Sequence, residues 1–337
     1  MRILLTGASS GVGLAAAERF AREGADLVLL ARGASALEEA ARLARSHGAT
    51  AYSVPVDVSD RLATEAAVER ALELLGGLDA VVTNAGAVVF GHFLEVEPED
   101  FDRTIDVTFT GAVNVIRAAL PALRASCGTI VAVSSMMAQL PLPAFSSYTA
   151  AKHALRGFLN TVQVEEREQR TGVRIAMVSP GPIDTPIYGR ATSATGRSPA
   201  KLFDAYHADE IAKPLVRALV QPRNDHIVGG ESKLMTALYR TARPLGEVAL
   251  VFVDRWYRIG GEPAGSPGSL WSANEHARIG DGHPGRRSGD LVALGRNLFR
   301  AAHRVATIAP DLVHPIREQP VPQRAHDSSP PAQTAAA

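Results

Sequence analysis

Short apolar runs alternate along this chain with longer stretches whose apolar residues recur three and four positions apart. The runs Arg2-Ile-Leu-Leu-Thr6, Asp26-Leu-Val-Leu-Leu30 and Ala51-Tyr-Ser-Val-Pro-Val56 predict strands. So do Leu78-Asp-Ala-Val-Val-Thr83, Thr129-Ile-Val-Ala-Val133 and Val173-Arg-Ile-Ala-Met-Val-Ser179, the Thr129 run reading as a strand buried on both faces. Helical periodicity fills the gaps: through Phe20, to about Ser46, to about Leu75, from Pro98 to about Arg124, and from Ser147 to about Arg170. A helix from Asp209 and a short strand near His226-Ile-Val228 complete the pattern. Strands and helices alternating at this rhythm predict an α/β fold, a doubly wound parallel sheet with helices on both faces.

The pattern changes after about residue 235. A chain of 337 residues is long for one such domain, so residues 1–235 are expected to form it and 236–309 an extension. In that extension Leu245, Val248, Ala249, Phe252, Val253, Trp256 and Tyr257 recur at helical spacing, with Glu247, Asp254, Arg255 and Arg258 mostly on the other side. They predict an amphipathic helix over about 245–258, packed on its own domain, or else a lid over a substrate mouth or a membrane-surface contact. Residues 260–289 are dense in Gly, Pro and Ser and resist a packed core, and a tail over 310–337, rich in Pro, Gln and Ala, is expected to be disordered.

Composition narrows the function classes. Formal net charge is zero and no basic run stands out, which argues against a nucleic-acid partner. The single cysteine, Cys127, excludes an internal disulfide and fits a reducing compartment, and its position ahead of a strand reads as packing. No apolar run approaches the ~20 residues that span a bilayer, and the first strand begins at residue 2 without a signal peptide before it. A cytoplasmic protein without an integral membrane segment is expected, and no metal centre.

The chemistry concentrates at strand ends. After the first strand comes Gly7-Ala-Ser-Ser-Gly11-Val-Gly13, with glycines where backbone must approach a phosphate at a helix N-terminus. It lacks the Gly-Lys-Ser/Thr ending of a nucleotide-hydrolysing loop and differs in spacing from G-x-G-x-x-G. At the end of the second strand, where an acidic residue would bind ribose hydroxyls, stand Ala31 and Arg32, which favours a 2′-phosphate and hence NADP(H). Ser135 emerges at the C-terminal edge of the Thr129 strand. Tyr148 and Lys152, four apart, share one helix face, so the ammonium sits where it would acidify the phenol. A hydroxyl donor, an acidified phenol and a lysine suit proton transfer at a carbonyl or alcohol oxygen.

These motifs together resemble the short-chain dehydrogenase/reductase family. The matching residues are Thr6-Gly7-Ala8-Ser9-Ser10-Gly11-Val12-Gly13, Asp57-Val58, Asn84-Ala85-Gly86, Ser135, Tyr148 with Lys152, and Pro180-Gly181-Pro182-Ile183-Asp184-Thr185, in the family's order over about residues 1–235. The resemblance implies a Rossmann fold in which Asp57 and Val58 meet the adenine, Ile183 holds the carboxamide through its backbone, and Thr185 reaches the phosphates. It also implies a homodimer or homotetramer built on the 98–124 and 147–170 helices. The family's usual asparagine, whose side chain holds a local helix distortion in relatives, is replaced by Thr108, whose hydroxyl is expected to stabilise a bend by bonding back to an earlier carbonyl of its own helix. Asn114, six residues on, is not its equivalent. The segment 186–208, rich in Thr, Ser, Gly and Arg, reads as a mobile lid. The function implied is NADP(H)-linked interconversion of a carbonyl and an alcohol on an apolar small molecule. The alternative is a protein that senses NADP(H) without turnover; an epimerase or dehydratase fits the glycine spacing less well.

Overall fold

Alternation inside each apolar run decides the layering of this molecule. Residues 1–199, 205–259, 268–273 and 275–280 are described by the computed structural model; the expectations for 260–267, for 281–309 and for the 310–337 tail lie outside them. In chain order the elements are β1 (Arg2–Thr6), α1 (Gly11–Arg22), β2 (Asp26–Ala31), α2 (Ala34–Ser46), β3 (Ala51–Pro55), α3 (Arg61–Leu75), β4 (Ala80–Thr83), β5 (Val89–Phe90), α4 (Pro98–Ile105) and α5 (Gly111–Ser126). They continue with β6 (Thr129–Val133), α6 (Ser146–Glu168), β7 (Arg174–Pro180), β8 (Ile183–Asp184), α7 (Pro186–Gly189), β9 (Thr192–Ser193), β10 (Tyr206–His207), α8 (Asp209–Val220), β11 (His226–Val228), α9 (Gly230–Thr241) and α10 (Arg243–Ile259).

Seven strands form one parallel sheet in the order β11-β7-β6-β4-β1-β2-β3. Ile3, Leu5, Leu27 and Leu29 face a core shared with Phe20, Leu37, Ile211 and Leu215 of α1, α2 and α8. Leu4, Val28 and Leu30 face the opposite core, filled by Val68, Ile116, Leu155 and Leu159 of α3, α5 and α6. The two cores are what a doubly wound sheet requires. Each fully buried leucine contributes ~2 kcal/mol, so adjacent residues of one strand hold opposite layers. Chain order runs outward in both directions from the β1–β4 pair, which leaves a crevice beyond the C-terminal ends of those strands.

Three expectations are corrected. The predicted 98–124 helix is interrupted by a π-turn at Asp106–Thr110, between α4 and α5. There the Thr108 hydroxyl turns away from its own helix: it donates to Ala87 O at 3.2 Å and accepts from Ala87 N at 3.0 Å. The extension helix is α10, but the face it buries is Leu250, Val253 and Asp254, while Leu245, Val248 and Phe252 are exposed. Asp254 can be buried because its carboxylate lies 3.0 Å from His92 Nε2. Cys127 is exposed, at the C-cap of α5 with φ +52°, its Sγ 3.7 Å from Thr171 O. Of the Gly/Pro/Ser-rich region, residues 268–273 and 275–280 lie along the main domain, and among them Leu270 alone is fully buried.

Candidate active site

The crevice begins with a glycine turn that no larger residue would fit. Gly7 has φ +64°, and a Cβ on Gly13 would lie 2.1 Å from Gly7 O, so the loop folds back tightly onto the start of α1. Thr6 and Asn84 fix the loop to the sheet. Thr6 Oγ1 accepts from the amides of Asn84 (2.9 Å) and Ala85 (3.0 Å), and Asn84 Nδ2 donates to the carbonyls of Thr6 and Gly7, both at 3.1 Å. The asparagine amide thereby ties β1 to β4 at the point where the chain order diverges.

The reactive end stands on β6 and α6. Ser135 Oγ accepts from Met137 N at 3.1 Å, which uses a lone pair and leaves the O–H available to donate. Lys152 is 3% exposed; its Nζ donates to Val133 O at 2.8 Å and lies 5.5 Å from the centre of the Tyr148 ring. Burial lowers the lysine pKa to about 8. A left-handed turn at Ala144, φ +62°, starts the chain into α6 and seats Phe145 against Phe90 with ring centres 5.3 Å apart. Around Tyr148 the walls are apolar, with Val88, Met137, Phe145 and Ile187 joined by Leu250 and Val253 of α10.

The far end is polar and crowded. Asp57 is bound by the Arg103 guanidinium and by Ser59, whose amide and hydroxyl donate at 3.1 and 2.8 Å. Burial alone would raise this carboxyl; the hydrogen bonds from Arg103 and Ser59 outweigh it and hold the pKa below the ordinary value. Asn114 Nδ2 donates to Val58 O at 3.0 Å and so fixes the same turn from α5. Arg32 donates to three carbonyls of the extension: Ser269 O at 2.6 Å, Leu270 O at 2.9 Å and Ser272 O at 2.8 Å. Its guanidinium is half-buried, and burial is the main cause that lowers its pKa.

Gly7, Ser9, Ser10, Gly11, Val12, Arg32, Asp57, Val58, Asn84, Ala85, Gly86, Ser135, Tyr148, Lys152, Pro180, Gly181, Ile183 and Thr185 line one cavity of about 210 Å3. Thr6, Gly13 and Thr108 stand behind its wall. Four participants escaped the reading of the sequence. Ser134 and Arg190 line the cavity, Arg103 closes on Asp57, and Ser269 completes the wall from the extension. Ser134 was within reach of sequence reasoning, since it ends the same strand as Ser135; the others are brought in by contacts between distant parts of the chain.

The donor set fits a dinucleotide. The Ser134 hydroxyl is buried in the cavity wall without a hydrogen-bond partner, the Gly7–Gly13 cradle has no room for side chains, and the N-terminus of α1 faces the same space. Ser9, Ser10 and Thr185 line the cavity beside that N-terminus, and Lys152 lines it beside Tyr148. Among the described residues no cluster of His, Cys, Asp and Glu could hold a metal ion.

Comparisons with known proteins agree with this geometry. The family model for short chain dehydrogenases matches residues 1–196. The uncharacterized oxidoreductase YxnA of Bacillus subtilis is 32% identical over 239 residues, covering 70% of this chain and 67% of that protein. The uncharacterized oxidoreductase Lmo0432 of Listeria monocytogenes is 31% identical over 239 residues, 68% of this chain and 96% of its own length. Among solved structures, an alcohol dehydrogenase from the archaeon Thermococcus sibiricus, complexed with 5-hydroxy-NADP, superposes with TM-score 0.60 at 29% identity, covering 67% of this chain and 94% of that one. A short chain dehydrogenase/reductase from Burkholderia phymatum in complex with NAD, 24% identical, shares the fold with TM-score 0.65, over 72% of this chain and 94% of that one.

Proposed function

Since the chain belongs to the short-chain dehydrogenase/reductase family, we propose that it is an NADP(H)-dependent oxidoreductase that interconverts a carbonyl and an alcohol on an apolar small molecule. The observation that carries the reading is the convergence of Ser135, Tyr148 and a deeply buried Lys152 on one cavity with apolar walls. When bound, the nicotinamide supplies or accepts the hydride. In the reducing direction the Tyr148 phenol gives its proton to the substrate oxygen as negative charge develops there. Ser135, with its O–H unclaimed by Met137, donates a second hydrogen bond to the same oxygen. Lys152, anchored on Val133 O, keeps positive charge beside the phenol and lowers the cost of the phenolate.

Arg32 supports the NADP(H) assignment, because a guanidinium at the end of β2 matches a 2′-phosphate as a two-point donor. Val88, Met137, Phe145 and Ile187, packed into one apolar cluster beside Tyr148, support an apolar substrate. A homodimer through α5 and α6 and a cytoplasmic location belong to the same proposal; no helix among the described residues is long and apolar enough to cross a membrane. The test is anaerobic incubation with NADPH or NADH and a panel of apolar ketones and aldehydes, following both absorbance loss and the alcohol formed. Turnover with NADPH exceeding that with NADH supports the proposal. Tight NADPH binding with no turnover of any carbonyl or alcohol would overturn it in favour of a dinucleotide-sensing protein.

A further inference from the structure

The extension reaches the two places in the cleft that are built to receive phosphate. Three of its carbonyl oxygens sit on the Arg32 guanidinium, at 2.6 to 2.9 Å. A fourth, Arg278 O, accepts from Gly11 N at 2.8 Å, at the N-terminus of α1, where Ser10 and Arg278 also pair as a β-bridge. Carbonyl oxygens are acceptors of the same kind as phosphate oxygens but carry no net charge, so they satisfy these donors without a ligand. The cavity left beneath this segment is about 210 Å3, with Ser269 in its wall. Pockets for small ligands begin at ~300 Å3, and a dinucleotide needs more.

The anchors of the segment are few. Leu270 is 2% exposed, in a small cluster with Ala87 and Val107. Trp271 Nε1 donates to Asp100 Oδ1 at 2.7 Å and its ring lies 5.4 Å from the Arg103 guanidinium, yet the residue is 61% exposed. Beyond these, Ser35 donates to Glu275 O at 2.6 Å and Ala277 N donates to Glu39 at 2.8 Å. Ser269 also donates to Arg190 O, and Ala277 and Ile279 pack half-buried on the β1 core. One fully buried side chain, two partly buried ones and polar contacts at a rim thus hold the segment as a strap, with far less buried apolar surface than the layers of the sheet.

We infer that residues 268–280 are an internal competitor of the dinucleotide, whose carbonyls occupy the phosphate sites at Arg32 and Gly11 until the cofactor displaces them. The inference rests on the reading of the cleft as a dinucleotide site. It makes the strap a determinant of cofactor selectivity. NADP(H) has to free Arg32 before its 2′-phosphate can bind, whereas NAD(H) has no phosphate for that position. The pyrophosphate common to both cofactors has to displace Arg278 O from Gly11 N, and only NADP(H) has also to free Arg32. Apparent affinity therefore falls for both by the fraction of molecules whose site is open, and falls further for NADP(H).

The test uses full-length protein. Trp271→Ala removes an exposed anchor, and Leu270→Ser combined with it removes the buried one. Dissociation constants for NADPH and NADH are measured by titration calorimetry, with circular dichroism and melting to verify folding. The double variant should bind NADPH ~10-fold more tightly and NADH no more than ~3-fold, the single variant lying between it and the parent. A synthetic peptide of residues 268–280, added to the double variant, should raise the NADPH dissociation constant again as a simple competitor. NADPH affinity unchanged or weakened in both variants, while folding is intact, would overturn the strap as competitor and leave the cofactor reading standing. If neither dinucleotide binds the parent or the variants, yet the labelled peptide still binds the double variant, the dinucleotide reading fails and the inference falls with it.

Discussion

The two ends of the cleft are built by opposite means. At the reactive end Ser135, Tyr148 and Lys152 come from one continuous stretch, and Lys152 is anchored on Val133, 19 positions away. At the other end Arg32 is bound by carbonyls 237 to 240 positions away, and Asp57 by an arginine 46 positions on. Chemistry is thus assembled from short-range geometry that a helix turn and a strand end already provide. The other end, where the adenosine half of the proposed cofactor would lie, is shaped by segments far apart in the chain, one of which contests Arg32. The first arrangement is stiff and its defects should appear in turnover, whereas the second is adjustable and its defects should appear in affinity.

Tyr148→Phe offers the sharpest break between the two ends. It should lower kcat at least ~100-fold, the scale of a lost general acid, while NADPH affinity by calorimetry stays near that of the parent. Wild-type turnover would remove the phenol from the chemistry. A comparable loss of NADPH affinity would erase the division itself.

The pH dependence of the reductive reaction should be the next largest effect. Burial holds Lys152 near 8, so its ammonium is complete at low pH and is lost as pH rises through about 8. Log kcat/KM should therefore be level through neutrality and decline on the alkaline side, with the bend near 8. Lys152→Met should remove that bend along with most of the activity. A profile that rises through the same interval would have the wrong sign for this lysine.

A smaller effect is expected at the adenosine end. Arg103→Met takes the guanidinium from Asp57 and from the Trp271 ring. Made in the Leu270→Ser/Trp271→Ala background, where the strap no longer contributes, it should raise the NADPH dissociation constant ~3- to 10-fold and leave kcat within ~2-fold, because a lost partly exposed ion pair is worth ~1 kcal/mol and lies far from the reacting atoms. A fall in kcat larger than the change in affinity would mean that the two ends are coupled.

What sequence made legible follows the same division. The sheet, its two cores and the glycine turn were readable because apolar alternation and backbone-permissive residues encode them residue by residue. A bend at Thr108 is implied by the family resemblance, but its partner is not: the hydroxyl of a helical threonine is expected on its own helix until Ala87 is brought beside it at the π-turn. Asp254 shows the limit from the other side. A carboxylate on an amphipathic helix belongs in water unless a partner such as His92 is waiting, and nothing in the 245–258 pattern announces a residue at position 92. The strap escaped because its contacts to Arg32 and Gly11 come from backbone carbonyls, which every sequence contains and none distinguishes.

The order of strands in the sheet has a consequence for the birth of the protein. β11, the edge strand beside β7, completes the sheet at Val228, and the strap's last contact with the glycine turn comes at Arg278, 50 residues later. At ~5–20 residues per second a ribosome needs a few seconds to make that difference. During that interval the nascent chain has all seven strands and an open cleft, and the segment that contests Arg32 has yet to be made. A dinucleotide that arrives in those seconds therefore meets the site before its competitor does.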